Sequence, residues 1–597
     1  MCIRDSYNLV EIEIELIHLG LEKFQAQKNI DDLYQASNQL VNIERRLDYL
    51  KKLFQSIDSG QSLTNQFFDF YQYAIDINYL LYEETGDQQY ADKVFAYSEK
   101  SKTFILMRTL HNEEALQLAG IPSSIIAKAN SLSADITYKE KLLFENNQKE
   151  ERDDAVHTSL TSELFDLQEA HEQLLKRIEK KYPTYYQLKY DLSPSSITQL
   201  QEEVLSDEQT LVEYFVGDQD IYVFLINKDE IILKKLPKPV DLSSMVQAFR
   251  KSIHEYDPLK NNEASIKQYA DIGQSLYQQL IAPIQANLRS QVIFVANGLL
   301  EYLPFDALVV QAADDLNQFR NYEYLVSNNA ISYAYSATWL HTVLSKEKQS
   351  FTSTYLGVAP SFKIKRGSIK SSRSNVFDPL KYNQAEVKNI CQLMDGEVLL
   401  GTSATEQAFK TIADQFQIIH LATHGESNIT QGNYSFLAFA NPEDTTKGQV
   451  FYVKDLQNIN LPSELVVLSA CETGIGELQR GEGVVSVGKG FSYAGARSVL
   501  STLWKIHDNT AAKLMPLFFE NIKAGQQKDV ALKNAKNTFV KTQRDAHPYY
   551  WSGYLIYGDT SKIAMSYFSN TVLGGVFGTL GIGLLASFLF LRFGKKL

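Results

Sequence analysis

The chain has 597 residues, 44% of them apolar and 22% charged, which excludes a mainly disordered or fibrous protein. At about 150 residues per domain, that length predicts roughly four structural units. A net charge of −13 argues against phosphate binding as the main business of the surface, so no nucleic-acid partner is expected. Three cysteines (Cys2, Cys391, Cys471) can form neither a disulfide framework nor a thiolate zinc site. HExxH, CxxC and GxGxxG are absent from the sequence, and no metal and no cofactor is expected.

The N-terminus, MCIRDSYNLVEIEIELIHLG, has no basic segment followed by an apolar core, so it does not read as a secretory signal. It enters a helical pattern without a capping element, which predicts an incomplete N-terminus. From residue 7 to about 182 apolar residues recur at spacings of three and four, the period of helices. Within FFDFYQYAIDINYLLYEETGDQQYADKVFAYSEKSK, Tyr71, Ala74, Ile75, Asn78 and Leu81 share one face. Thr85-Gly86-Asp87 makes the turn, and Tyr90, Val94 and Tyr97 line the return helix. This hairpin resembles a degenerate tetratricopeptide repeat, and residues 1–122 are read as such an array; an unrelated helical bundle stays open. Charge-rich residues 123–200 predict an antiparallel helical pair joining the two halves of the chain.

Beyond Pro183 the period changes. Gln209–Phe215, Ile221–Ile226 and Ile231–Lys235 read as a small meander, and residues 201–264 as an α/β lead-in. The apolar runs QVIFVAN, TYLGVA, FQIIHLAT, LVVLSA and ARSVLSTLW follow, each succeeded by a helical pattern. Such alternation predicts an α/β fold with a mainly parallel sheet covered by helices on both faces.

Ligands of open α/β sheets bind where strands end at their carboxyl side. FQIIHLAT runs into His424-Gly425 and ELVVLSA into Cys471-Glu472, with Cys471 lying 47 positions after His424. A thiol needs a base to become a thiolate and a leaving amine needs a proton, and one imidazole serves both steps. Gly425 would let a backbone N–H approach a substrate carbonyl. Against this stands the common buried cysteine that acts as a small hydrophobe. Cys391 reads that way, on a helical face with Val387, Ile390 and Met394, and His420 reads as a packed strand residue.

HLATHGE (420–426), VVLSACETGIGE (466–477), GEGVVSVGKGFSYAGARSVLSTLWKIHD (481–508) and HPYYWSGYLIYGD (547–559) together resemble the CHAT domain. EYLPFDAL (301–308) and AISYAYSATWL (330–340) resemble its N-terminal part, and EKSKTFIL (99–106) the helical region that precedes it. The resemblance spans about 265–560 and implies a caspase-like cysteine peptidase domain behind tetratricopeptide-like repeats. It implies His424 as general base and acid and Cys471 as nucleophile. The N–H groups of Gly425 and Cys471 would form the oxyanion hole, and no motif position departs from the pattern.

Other features are weaker. GVVSVGKG (483–490) nearly makes a Walker A loop, but Gly490 replaces its Ser/Thr, so it reads as a helix start. Asp508 is either an acidic substrate pocket or a helix cap. Ser361–Asp378, with five basic residues among Gly and Ser, predicts an exposed segment open to proteolysis. The 21 uncharged residues Thr571–Leu591 would reach about 31 Å as a helix. They predict a single-pass C-terminal membrane anchor, followed by the basic tail 592–597. The charge bias favours a cytoplasmic tail, with the peptidase outside a bacterial inner membrane, while a true start at residue 1 would place it in the cytoplasm. The expected function is a membrane-anchored endopeptidase acting on a protein or peptide, with a protein partner on the repeats. The alternative is a catalytically silent scaffold.

Overall fold

The structure, a computed structural model, describes residues 3–53, 66–149, 151–259, 263–363, 376–444, 448–470, 472–506, 508–544 and 546–564. The chain divides into Met1–Lys562 and Ile563–Leu597, and the second unit is described only as far as Ala564.

The first third is helical. α1 (Ile3–Gln27) and α2 (Ile30–Leu53) pair through stripes spaced by three and four, with Val10, Ile14, Ile17, Leu21 and Phe24 facing Leu33, Ala36, Leu40, Ile43 and Leu47. α3 (Phe68–Thr85) and α4 (Gln88–Lys100) form the next hairpin. Its turn falls where the residues predicted. Gly86 takes the left-handed conformation (φ +67°) and donates its N–H to Tyr82 O, while the Asp87 carboxylate accepts from Gln89 N at 3.0 Å. Tyr71, Ala74, Ile75, Asn78 and Leu81 are all buried. α5 (Phe104–Leu118) follows, then the long pair α6 (Ser123–Asn147) and α7 (Asp154–Lys181), and the short α8 (Pro183–Tyr190).

An eleven-stranded sheet organises the rest. Its strands, in chain order, are β1 (Gln209–Val216), β2 (Asp220–Asn227), β3 (Ile231–Pro237), β4 (Gln291–Val295), β5 (Ala330–Tyr333), β6 (Ser353–Pro360), β7 (Glu397–Gly401), β8 (Phe416–Leu421), β9 (Leu465–Leu468), β10 (Ser498–Thr502) and β11 (Tyr554–Gly558). The spatial order is β3-β2-β1-β4-β5-β11-β10-β9-β8-β6-β7. The meander β1–β3 is antiparallel, and β1 joins β4 in parallel, so the meander belongs to the same sheet. β10, β9, β8, β6 and β7 run parallel, and β11 pairs antiparallel with β10. The sheet is therefore mixed rather than parallel throughout. β11, contributed by the end of the domain, is inserted at its centre. β8, β9 and β10 are buried along their length, as strands covered on both faces must be, whereas the edge strand β7 is partly exposed.

One expectation is corrected. Among the described residues no helix is long and apolar enough to cross a membrane, so a membrane location with a C-terminal anchor is not supported. The run 571–591 that suggested it lies outside the described residues, as do the tail 592–597 and most of the loop (364–375) expected to be exposed.

Candidate active site

β8 and β9 are neighbours in parallel register, Leu421 opposite Leu468, and Ser469 N donates to Leu421 O at 3.0 Å. His424 and Cys471 each follow three residues after that last paired position, so one strand spacing, about 4.8 Å, separates the strands that lead into them. Cys471 itself lies outside the described residues, but both its neighbours are described.

His424 is half-buried. Its Nε2 lies 2.6 Å from the carbonyl oxygen of Asp378. A carbonyl only accepts, so Nε2 carries the proton, and in the neutral ring Nδ1 is the basic nitrogen. Phe362 and Phe377 pack on the imidazole, with centroids at 5.3 and 5.5 Å. Gly448 makes room for them, because a Cβ there would stand 2.7 Å from the Phe377 ring. Gly425 opens a three-stranded ribbon in which Gly425–Glu426, Phe436–Ala440 and Gly448–Tyr452 pair antiparallel. The ribbon is braced from the helical side, where Phe144 of α6 stacks on Tyr434 at 3.8 Å and Lys141 donates to Val450 O.

The turn bearing Cys471 is pinned mainly by one residue of β10. The Thr502 hydroxyl donates to Ala470 O at 2.6 Å, Thr502 N donates to Thr473 Oγ1, and Thr502 O accepts from Gly474 N. Glu472 takes φ +55°, a left-handed conformation that costs a non-glycine residue about 1–2 kcal/mol. Its carboxylate accepts from the Ser427 hydroxyl at 3.0 Å, joining the two turns directly. A cavity of ≈ 30 Å³ lies between them, lined by Asn383, Glu386, Thr423, Ser469, Ala470 and Thr502. Behind it Asn383 Nδ2 donates to Pro360 O and Ala422 O, tying the end of β6 to the histidine turn.

Three other singled-out residues, and His547 of the string HPYYWSGYLIYGD, take different places. His420 is fully buried, bonded to the Tyr355 hydroxyl at 2.9 Å and 3.1 Å from a Glu386 oxygen, so it is a bonded core residue and not merely a packed one. Cys391 is half-buried on the helix Asn383–Met394, and burial pushes its thiol pKa up. His547 is buried under Tyr256, where desolvation holds its pKa well below the usual histidine range. Asp508 is the first residue of the helix Asp508–Lys523, and its side chain is outside the described set. Ser486 caps a helix over Val487–Tyr493, where the near-Walker string was read as a helix start.

Sequence reasoning missed Phe362, Phe377, Asp378 and Thr502. Three of them hold the histidine through ring faces and a main-chain carbonyl, which leave no motif. Thr502 stood in view inside ARSVLSTLW, but only the adjacency of β9 and β10 gives it a role.

These features define a protein with a helical array followed by a mixed-sheet α/β domain, whose adjacent strand ends carry a histidine turn and a cysteine turn. Residues 270–559 match the family model described as CHAT domain. The chain is 22% identical over 329 residues to tetratricopeptide repeat protein 28 of Homo sapiens, and equally to that of Mus musculus. Those matches cover 48% of this chain but only 13% of each relative's length. Among solved structures, the Arg-specific cysteine proteinase gingipain R aligns at 10% identity and TM-score 0.32, over 54% of this chain and 75% of that one. The Saccharomyces cerevisiae separase–securin complex aligns at 10% identity and TM-score 0.38, over 94% of this chain and 48% of that one.

Proposed function

We propose that the chain is a caspase-like cysteine endopeptidase, with Cys471 as nucleophile and His424 as general base and acid. The observation that carries this reading is the register of β8 against β9, whose ends lead into the two residues at equal distance. The match of residues 270–559 to the CHAT domain model supports it. With Nε2–H held by Asp378 O, His424 Nδ1 takes the proton of the Cys471 thiol. The thiolate attacks the scissile carbonyl, and its oxyanion is met by the N–H groups of Gly425 and Cys471. The imidazolium returns the proton to the departing amine, and water then hydrolyses the thioester. Asp508 takes no step in this scheme. The helical array acts as the partner-binding or regulatory part, a reading supported by its buried bonds to the ribbon that follows the cysteine turn.

The test is kinetic. His424→Ala and Cys471→Ala should each abolish cleavage of a broad peptide library, and the double variant should be no worse, because partners acting as a unit are non-additive. Near wild-type turnover by His424→Ala alone would show the dyad to be wrong. A wild-type protein silent across the whole library would favour the scaffold reading.

A further inference from the structure

A second cavity, ≈ 160 Å³, lies away from the peptidase turns, where the helical array, the connector after α4, the segment after α8 and the helix Ala337–Ser345 meet. Four lysines line it: Lys51, Lys52, Lys100 and Lys102. Their partners differ. Lys100 is paired with Glu44 and Lys102 with Glu213. Of the two acids in the wall, Glu99 is engaged through both oxygens by the backbone N–H groups of Ala337 and Thr338, at 3.0 and 2.6 Å. Asp48 is the other.

Lys51 and Lys52 remain. Lys51 donates to the neutral Tyr71 hydroxyl at 2.7 Å, and Lys52 lies over the rings of Tyr186 and Tyr190. Among the described residues no carboxylate lies within ion-pair distance of either ammonium group. Two such cations face a single remaining carboxylate in a chain whose overall charge is −13, so the wall runs against the composition of the molecule. Both are half-buried; burial opposes the charge of Lys51, but Tyr71, Asp48 and Glu44 outweigh it and push its pKa up, so the ammonium group is retained in the wall. The rest of the lining fits a ligand with a carbon skeleton, because Phe104, Met107 and Leu192 supply an apolar side. The cavity volume of ≈ 160 Å³ has room for a small ligand.

We propose that this junction cavity binds a small phosphorylated metabolite, its phosphate held by Lys51 and Lys52 and its carbon part lying on Phe104 and Met107. Lysine serves phosphate as a point charge, without the bidentate geometry an arginine imposes. The site does not use the peptidase turns, so it stands or falls apart from the catalytic reading. Its wall includes Lys102, Thr103 and Phe104, directly before the two backbone N–H groups of α5 that grip Glu482 in the α/β domain.

Glycerol 3-phosphate and inorganic phosphate, titrated calorimetrically into the full chain in phosphate-free buffer, test it. Glycerol 3-phosphate should bind saturably at one site. Lys51→Gln/Lys52→Gln should weaken it about tenfold or more, the loss expected for charge-assisted bonds. Lys23→Gln/Lys180→Gln, an equal charge change at exposed positions, should leave it unchanged, and Lys52→Gln alone serves if the double variant fails to fold. Inorganic phosphate binding more weakly at the same site would support the apolar contact. Equal weakening by both double variants, or no saturable binding of either probe, would overturn the proposal.

Discussion

The inside of the helical array and its junction with the α/β domain differ in how much buried charge accompanies their apolar packing. Within the array, α1 and α2 meet through aliphatic side chains, each contributing about 1.5–3 kcal/mol on full burial. At the junction a shared apolar core, with Phe68 on Phe215, Tyr79 on Tyr222 and Phe95 on Phe224, is accompanied by buried charges. Glu99 and Lys102 are 4% and 6% exposed, Glu213 is fully buried, and Glu482 and Lys489 are nearly so. Glu482 is the most heavily bonded of these. It accepts from Ile105 N at 2.8 Å, Leu106 N at 3.2 Å and the Tyr493 hydroxyl at 3.0 Å, and pairs with Lys489 at 3.0 Å. Apolar stripes hold under many substitutions, whereas a buried ion fails when any one partner is lost. The array is thus tolerant inside and exacting at the buried charges where it meets the α/β domain. That is the arrangement expected if its position on the domain matters.

The strongest way to break this contrast is Glu482→Ala. It leaves Lys489 and two helix N–H groups buried without their anion, and should cost about 3–5 kcal/mol in denaturant unfolding. An aliphatic change within the array, such as Ile43→Val, should cost only about 0.5–1.5 kcal/mol. Comparable losses in the two would erase the distinction.

Thr502→Val sharpens it on the side of the site. The substitution keeps the shape but removes the donor to Ala470 O, at a cost of about 1–2 kcal/mol. Peptidase turnover should fall by more than that stability loss explains, because the turn carrying Cys471 loses its tether. Unchanged turnover would mean that the turn is held elsewhere.

The smallest effect is a slope. Glu301 accepts from Val484 N at 2.8 Å in the ribbon Gly476–Gln479/Gly483–Ser486, and burial pushes its carboxyl up to about 7 from 4.5. The unfolded carboxyl ionises first, so its contribution to stability should decline as pH rises from 4.5 to about 7 and stay level above. Glu301→Gln cannot titrate, so the stability difference between wild type and variant should change across that window and nowhere else. A difference independent of pH there would contradict the assignment.

Legibility followed the same divide. The α3–α4 hairpin and its turn at Thr85-Gly86-Asp87 could be read because periodicity and turn chemistry are local. β4, β6, β8, β9 and β10 were readable as apolar runs, and the His424 and Cys471 turns as the ends of β8 and β9, whereas β5, β7 and β11 were not read as strands. Strand order was not, because pairing β11 between β5 and β10 is a long-range outcome with no local signature. EKSK at 99–102 is a charged stretch, yet most of it is buried, since ion pairs supply what composition does not show. The apolar run near the C-terminus was the most conspicuous signal in the chain, and the anchor built on it found no support among the described helices.

Covalent labelling by a cysteine-directed acyloxymethyl ketone peptide, mapped by mass spectrometry on the full chain, tests the central claim most directly. Cys391 is the internal control, because burial raises its thiol pKa and disfavours the thiolate. The account predicts labelling at Cys471 that is lost in Cys471→Ala and sharply reduced in His424→Ala, with Cys391 unmodified. Equal labelling of wild type and Cys471→Ala, or modification confined to Cys391, would contradict it.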